Sequence, residues 1–189
     1  MKRLEVKFKH YLLLHPRPVY VIGSGVYGKE ANLMAASWVT PVAEEPPLVA
    51  VSVEKETKTH KLIEKYGEFT INILEQEHLD KIWLFGTKSG NKVDKIKLTK
   101  LNVKKGFKVK APIISEAIGI IEAKVANKVD AGECALYIGE IVHAEAESEK
   151  YNEKYGWNLM KTRLLYHVSG RAFMSNGKLL FYKRSSYSP

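Results

Sequence analysis

The strongest constraint on this chain is a series of β-type segments, most of which are not followed by a helix. Residues 18–24 (PVYVIGS), 48–53 (LVAVSV) and 69–74 (FTINIL) are rich in β-branched and aromatic side chains. Residues 118–128, 135–145, 164–168 and 179–183 continue the series. LVAVSV is apolar on both faces, which predicts a buried strand. Helical periodicity is confined to two short stretches. Residues 57–67 put Leu62, Ile63 and Tyr66 on one face, with Thr57 or Thr59 as N-cap and Gly67 just past the end. Residues 76–85 carry Leu79, Ile82, Trp83 and Phe85 at helical spacing, and Gly86 is expected to end that helix. Residues 32–40 fit a helix or a strand. Pro41 and Pro46-Pro47 bracket an expected loop, and 88–97 reads as a polar loop. A doubly wound α/β sheet needs a helix after each strand and is disfavoured. The pattern predicts a mainly β fold: a closed or half-open antiparallel barrel, Greek-key-like, with a few short helices.

The chain has 189 residues, enough for a single domain with a sizeable core, with 150–189 read as a C-terminal extension of it. A hydrophobic content of 45% is too high for a disordered chain. The one cysteine, Cys134, excludes an intrachain disulfide and a cysteine-based zinc site. The start, MKRLEVKFKHYLLLHPRP, has too short an apolar run for a signal peptide. No segment approaches the ~20 apolar residues of a membrane span. These features lead us to expect a soluble, cytoplasmic protein.

The formal net charge is +9, and residues 95–110 hold seven lysines and no acid. Such a segment invites a nucleic-acid reading, but the excess is Lys rather than Arg, the residue suited to bidentate contacts. Phe107 is the sole aromatic among those lysines, so no stacking platform is interleaved with them. A basic nucleic-acid-binding module is kept as a remote alternative, and lack of a mobility shift at low salt would remove it.

Residues 23–28 read Gly-Ser-Gly-Val-Tyr-Gly, a match to the dinucleotide-binding fingerprint, with Glu54 at the end of the next strand. No amphipathic helix follows, and no βαβαβ continuation appears downstream. We therefore read a glycine-rich hairpin turn. The six histidines are scattered without ligand spacing, which predicts no metal site.

Four segments in order carry more information: HPRPVYVIGSG from residue 15, NLMAASWVTPVAEEPPLVAVSV from 32, KTHKLIEKYGEFTINIL from 58 and GTKSGNKVDKIK from 86. This series resembles the flavin reductase-like family from Pro16 to about Gly139. The resemblance implies an FMN-binding split β-barrel and a homodimer with flavin sites near the subunit interface. It implies that Asn32, Met34, Ala35, Ser37 and Trp38 meet the flavin's pyrimidine side and ribityl chain. It places phosphate contacts at the strand-to-helix turn, on Ser52, Val53, Lys58 and Thr59. Ser89, Gly90 and Lys95 are expected flavin contacts, and Asp94 a structural residue. The residue chemistry agrees: small alanines admit a flat ring, and a helix N-terminus with a lysine suits a phosphate.

No protein acid or base is required in such a site, because the flavin carries the redox chemistry. The implied activity moves hydride or electrons through FMN from NADH or NADPH to a flavin or another acceptor. The alternative is a non-catalytic, flavoredoxin-like electron carrier between protein partners, with surface lysines facing an acidic redox protein. Gly132-Glu133-Cys134 stands where many reductases of the family have Gly-Asp-His, whose His helps bind the nicotinamide nucleotide. This departure favours the carrier. Cys134 begins an apolar strand and is expected to be buried and inert. His167 and Arg171, in YHVSGRAF, are expected near the flavin pocket, with open roles.

Overall fold

The structure, a computed structural model, describes residues 3–180. Its centre is one antiparallel sheet of seven strands: β1 (Tyr20–Val26), β2 (Glu30–Ala36), β3 (Val39–Ala43), β4 (Leu48–Glu54), β5 (Glu68–Ile73), β6 (Gly119–Ala131) and β7 (Cys134–Ala146). The spatial order is β2-β1-β5-β6-β7-β4-β3. One face of this sheet closes on a single core that includes Ile22, Val51, Val53, Phe69, Ile71, Ala123 and Tyr137. The two edge strands, β2 and β3, are joined through Ser37 and Trp38 alone. The sheet therefore curls until its edges meet, giving a barrel split between β2 and β3.

The segment that fitted either a helix or a strand is strand. Met34 and Ala36 face the barrel core, whereas Leu33 and Ala35 face an outer layer, the period-two alternation of a strand. Pro41, expected in a loop, lies within β3. An edge strand tolerates proline because its outer side needs no N–H donor. The glycine fingerprint is a hairpin: β1 runs through Gly23 and Gly25 to Val26 and pairs back onto β2. Gly23 is needed for close approach. A Cβ there would lie 2.1 Å from the Pro112 carbonyl oxygen and 2.3 Å from Thr70 Oγ1.

Helix α1 (Lys58–Tyr66) begins and ends as expected. The Thr57 side chain accepts from the His60 N–H, and Gly67 adopts φ 65°. It follows β4 and precedes β5, so it lies over one mouth of the barrel, with Ile63 in the core. Helix α2 (Leu79–Thr87) packs Ile82 and Phe85 on the outer face beside Val21 and Leu33. It passes through Gly86 instead of stopping there. The expected loop over 88–97 also needs correction, because α3 (Lys95–Thr99) starts within it. Asp94 Oδ1 accepts from the N–H groups of Ile96 and Lys97, a side-chain N-cap.

Two short strands, Val103–Lys105 and Pro112–Ile114, form a hairpin outside the barrel. Its loop is tied down by buried carboxylates. Glu122, 0% exposed, accepts from the N–H groups of Phe107, Lys108 and Val109 at 2.7, 2.7 and 2.9 Å. Glu68 accepts from Lys110 N–H at 2.6 Å. The lysine-rich segment is thus a helix, a strand and a loop whose end, Phe107 to Lys110, is tied to the barrel. A last hairpin, β8 (Leu165–Ser169) and β9 (Ala172–Ser175), packs near α2. Of the strand expected at 179–183, Leu179 and Leu180 are not in a strand and 181–183 lie outside the described residues. Among the described residues no helix is long and apolar enough to cross a membrane, and no cluster could hold a metal.

Candidate functional site

Strand β2 pairs with β1 alone, so its other edge is open to the split. Ser52 N–H donates to the Trp38 carbonyl at 3.0 Å, tying β4 to the link that follows β2. Two features lie along this strand: an apolar cavity, here the wide end, and a cluster of polar residues, here the narrow end.

The wide end is a cavity of about 350 Å³. Ala35, Ala36 and Ser37 line one side, Trp83, Gly86 and Thr87 of α2 another, and His167 and Phe173 of the last hairpin a third. The Phe173 ring meets Trp83 edge-on at 6.3 Å and His167 at 5.2 Å, so the wall is aromatic. His15 Nδ1 lies 3.1 and 3.0 Å from the carbonyl oxygens of His167 and Val168. Two acceptors fix Nδ1 as the protonated donor, which pins β8 beside the cavity. Trp38 is 38% exposed, with Tyr11 edge-on at 5.5 Å. A flat ring with polar edges fits this shape: small residues and a strand edge on one side, aromatics on the other.

At the narrow end three sequence-distant residues converge. Buried Asn32 donates through Nδ2 to Thr59 Oγ1 at 2.8 Å. Gly90 lies directly against Asn32, where a Cβ would stand 2.3 Å from Oδ1. Asn91 Nδ2 donates to the Glu56 carbonyl at 3.2 Å, tying this loop to the approach of α1. Ser89 is exposed, and its Oγ accepts from Asn91 N–H. Lys58 is the first residue of α1, so it sits at a helix end whose N–H groups favour an anion.

Lys95 completes this end. It is 3% exposed, and its Nζ donates to the Phe85 carbonyl at 2.9 Å. Asp94 does not pair with it, being occupied as the cap of α3. Burial, and then the charge of Lys58, bring its amine down to about 8. Among the described residues Lys95 has no carboxylate partner. A buried ammonium without a counter-ion is costly, and a second cation raises the cost. Two cations at one place suit an anion.

The remaining sequence-derived residues divide. Met34 is half-buried against the core, and Val53, 1% exposed, is part of it, so Val53 offers the slot only its backbone. Ser52 is half-buried on β4. Cys134 is half-buried rather than fully buried, because it opens β7 at the sheet's end opposite Glu54. The Glu133 carbonyl accepts from Lys55 N–H at 3.0 Å, so this departure from Gly-Asp-His borders the turn into α1. His167 lines the cavity, whereas Arg171 is exposed at the tip of its hairpin.

Sequence reasoning did not single out Trp83, Gly86, Thr87 and Phe173, which line the cavity. Gly86 and Thr87 open the GTKSGNKVDKIK segment and Phe173 ends YHVSGRAF, but Gly86 was read as a helix stop. Also unforeseen was a clamp beneath α1. The Tyr137 hydroxyl donates to Glu64 at 2.7 Å and meets His60 Nδ1 at 2.6 Å. This bond, with a second from Lys128, holds the Glu64 carboxyl below its usual range, while burial pushes His60 down. The clamp fixes the helix whose first turn carries Lys58 and Thr59.

Comparison with known proteins agrees with this architecture. The chain is 37% identical to an uncharacterized protein of Pyrococcus abyssi over 87% of this chain and 93% of that one. It is 30% identical to a ferric-chelate reductase (NAD(P)H) of Archaeoglobus fulgidus, covering 76% of this chain and 84% of that one. The flavoredoxin of Desulfovibrio vulgaris superposes with a TM-score of 0.81 at 26% identity, over 98% of both chains. An FMN-binding protein of Thermus thermophilus superposes with a TM-score of 0.84 at 23% identity, over 97% of this chain and 99% of that one, a likeness of fold. Residues 12–187 match the flavin reductase like domain, and the chain belongs to that family.

Proposed function

We propose that this chain binds FMN along the free edge of β2 and passes hydride or electrons through it. The observation that carries this reading is the uncompensated buried Lys95 beside Lys58 at the narrow end. A phosphate supplies the missing negative charge, and the 350 Å³ aromatic-walled cavity leaves room for the ring at the other end. Lys58, Lys95 and the first turn of α1 hold the phosphate. Thr59 fixes Asn32, which with Ser89 and Gly90 faces the ribityl chain. Ala35, Ser37 and Trp38 offer backbone and apolar contact to the ring, with Met34, Ser52 and Val53 shaping the barrel side. A bound flavin supplies the redox chemistry itself. The chain binds it, orients it and keeps water from one face.

Donor and acceptor define two versions. The NAD(P)H-dependent relative at 30% identity supports a reductase that takes hydride from NADH or NADPH. Glu133 and Cys134 beside the phosphate turn support a flavoredoxin-like carrier, because neither offers the cation or N–H donor of a histidine. Anaerobic mixing of the FMN-loaded protein with NADH and NADPH separates them. Prompt loss of absorbance near 450 nm supports the reductase, and no loss supports the carrier. A protein that takes up no FMN overturns both. We also propose a homodimer, supported by a large apolar cavity at the barrel mouth away from α1, and an acidic redox protein as the carrier's partner.

Two predictions arise here. Gly90→Ala drives a methyl group into Asn32 and breaks its bond to Thr59. It should weaken FMN roughly tenfold in a fluorescence titration and lower the melting temperature by a few degrees, because a buried internal hydrogen bond is lost in the free chain as well. The second concerns pH. Lys95 gives up its proton near pH 8 in the free chain. A bound phosphate dianion favours the protonated form and raises that midpoint. Binding above pH 8 therefore takes up a proton, and FMN affinity should fall as pH rises, by at most about tenfold per pH unit. Riboflavin, lacking the phosphate, should show no such slope.

A further inference from the structure

The mouth of the barrel away from α1 holds a cavity of about 800 Å³. Its depth is apolar, with Val49, Ile71, Ile120 and Ile141, and no lysine or arginine lines it. Its rim is acidic: Glu145 and Glu153 line it, and Glu44 and Glu45 are exposed on the turn after β3, whose own Val39 and Pro41 also line it. No described side chain of the same molecule fills it.

The N-terminal segment has the opposite character. Residues 3–9 read Arg-Leu-Glu-Val-Lys-Phe-Lys, three cations to one acid. Leu4 is 88% and Phe8 76% exposed. Among the described residues, no hydrogen bond joins 3–8 to the rest of the chain. The segment becomes anchored only afterwards, where Tyr11 meets Trp38 and His15 meets β8. The molecule thus presents a basic, apolar arm without a seat and an acid-rimmed, apolar seat without an occupant.

We propose that residues 3–9 of one copy of this chain lie in the barrel mouth of a second copy, in a reciprocal exchange. Leu4 and Phe8 fill the apolar depth, and Lys7 and Lys9 meet the glutamates of the rim. Two-fold symmetry lets each molecule give one arm and receive one, so all four exposed elements are covered at once. The inference rests on the homodimer proposed above and is independent of FMN binding, which leaves the arm untouched.

Two measurements test it. Sedimentation of the intact chain should show a dimer, and removal of residues 1–9 should weaken dimerisation at least tenfold while the thermal transition persists. For the second, Cys134→Ser is combined with Phe8→Cys in one chain and with Ala144→Cys in another, each with a different tag. On mild oxidation of the mixture, the mixed disulfide should exceed either like-with-like product. An intact chain that is monomeric, a truncated chain that dimerises as tightly as the intact one, or a mixture without the mixed disulfide would overturn the proposal. If the intact chain is a dimer and the arm is dispensable, the homodimer stands and the arm exchange falls.

Discussion

Lys95→Met should reduce the discrimination between FMN and riboflavin by about 100-fold while leaving the protein folded. Lys95 is 3% exposed, donates to one carbonyl, and has Lys58 as its neighbouring charge. Methionine fills a similar volume and removes a buried charge, a change that buried sites tolerate. The free variant should therefore melt at or above the wild-type temperature. FMN, in contrast, loses a buried charge-assisted contact to its phosphate. Such a contact is worth roughly 3 kcal/mol, which corresponds to about 100-fold in dissociation constant. Riboflavin, which makes no phosphate contact, should bind within about threefold of its wild-type affinity. The pH dependence of FMN binding should vanish with the lysine. Equal weakening of both flavins would place Lys95 at the ring instead.

The largest effect on stability is expected at Glu122. Its carboxylate is fully buried and receives three backbone N–H groups from the loop of the 103–114 hairpin. Glu122→Leu keeps the apolar volume but leaves those donors unpaired against the barrel wall. An unpaired buried donor costs about 1–3 kcal/mol, and the three are coupled through one loop, so a loss of roughly 3–5 kcal/mol follows. For a chain of this size that lowers the melting temperature by about 10 °C, measured by circular dichroism. The lysine-rich loop should also become cleavable by trypsin at low enzyme ratios. Because Gly23 packs against Pro112 of the same hairpin, loosening should spread to β1. A melting temperature unchanged within 2 °C would mean that water replaces the carboxylate.

The sequence made some parts of this molecule legible and hid others for identifiable reasons. LVAVSV was readable as a buried strand because its apolar residues do not alternate, and Thr57 and Gly67 marked the ends of α1 through cap chemistry. NLMAASWVT was not readable, since alanines and serine suit a helix as well as a strand edge, and only pairing with β1 decides it. Pro41 misled because its place in β3 depends on β3 being an edge, a fact of topology. Gly86 misled because nothing local shows that α2 continues past it. The meeting of Asn32, Thr59 and Gly90 joins residues far apart in sequence, so resemblance to a family could suggest it and periodicity could not. The inward turn of Lys95 is the least legible feature, since a lysine in a lysine-rich segment is ordinarily solvated. That turn separates one lysine from the general +9 excess.

We propose that a phosphate-bearing flavin lies along β2, with its phosphate at Lys58 and Lys95. The most direct measurement is a parallel titration of the flavin-free protein with FMN and with riboflavin at pH 7, followed by flavin fluorescence. We expect saturable, stoichiometric binding of FMN, and binding of riboflavin weaker by at least about 100-fold, the worth of the buried Lys95 contact alone. Equal affinity for the two flavins, or binding of neither, would contradict it.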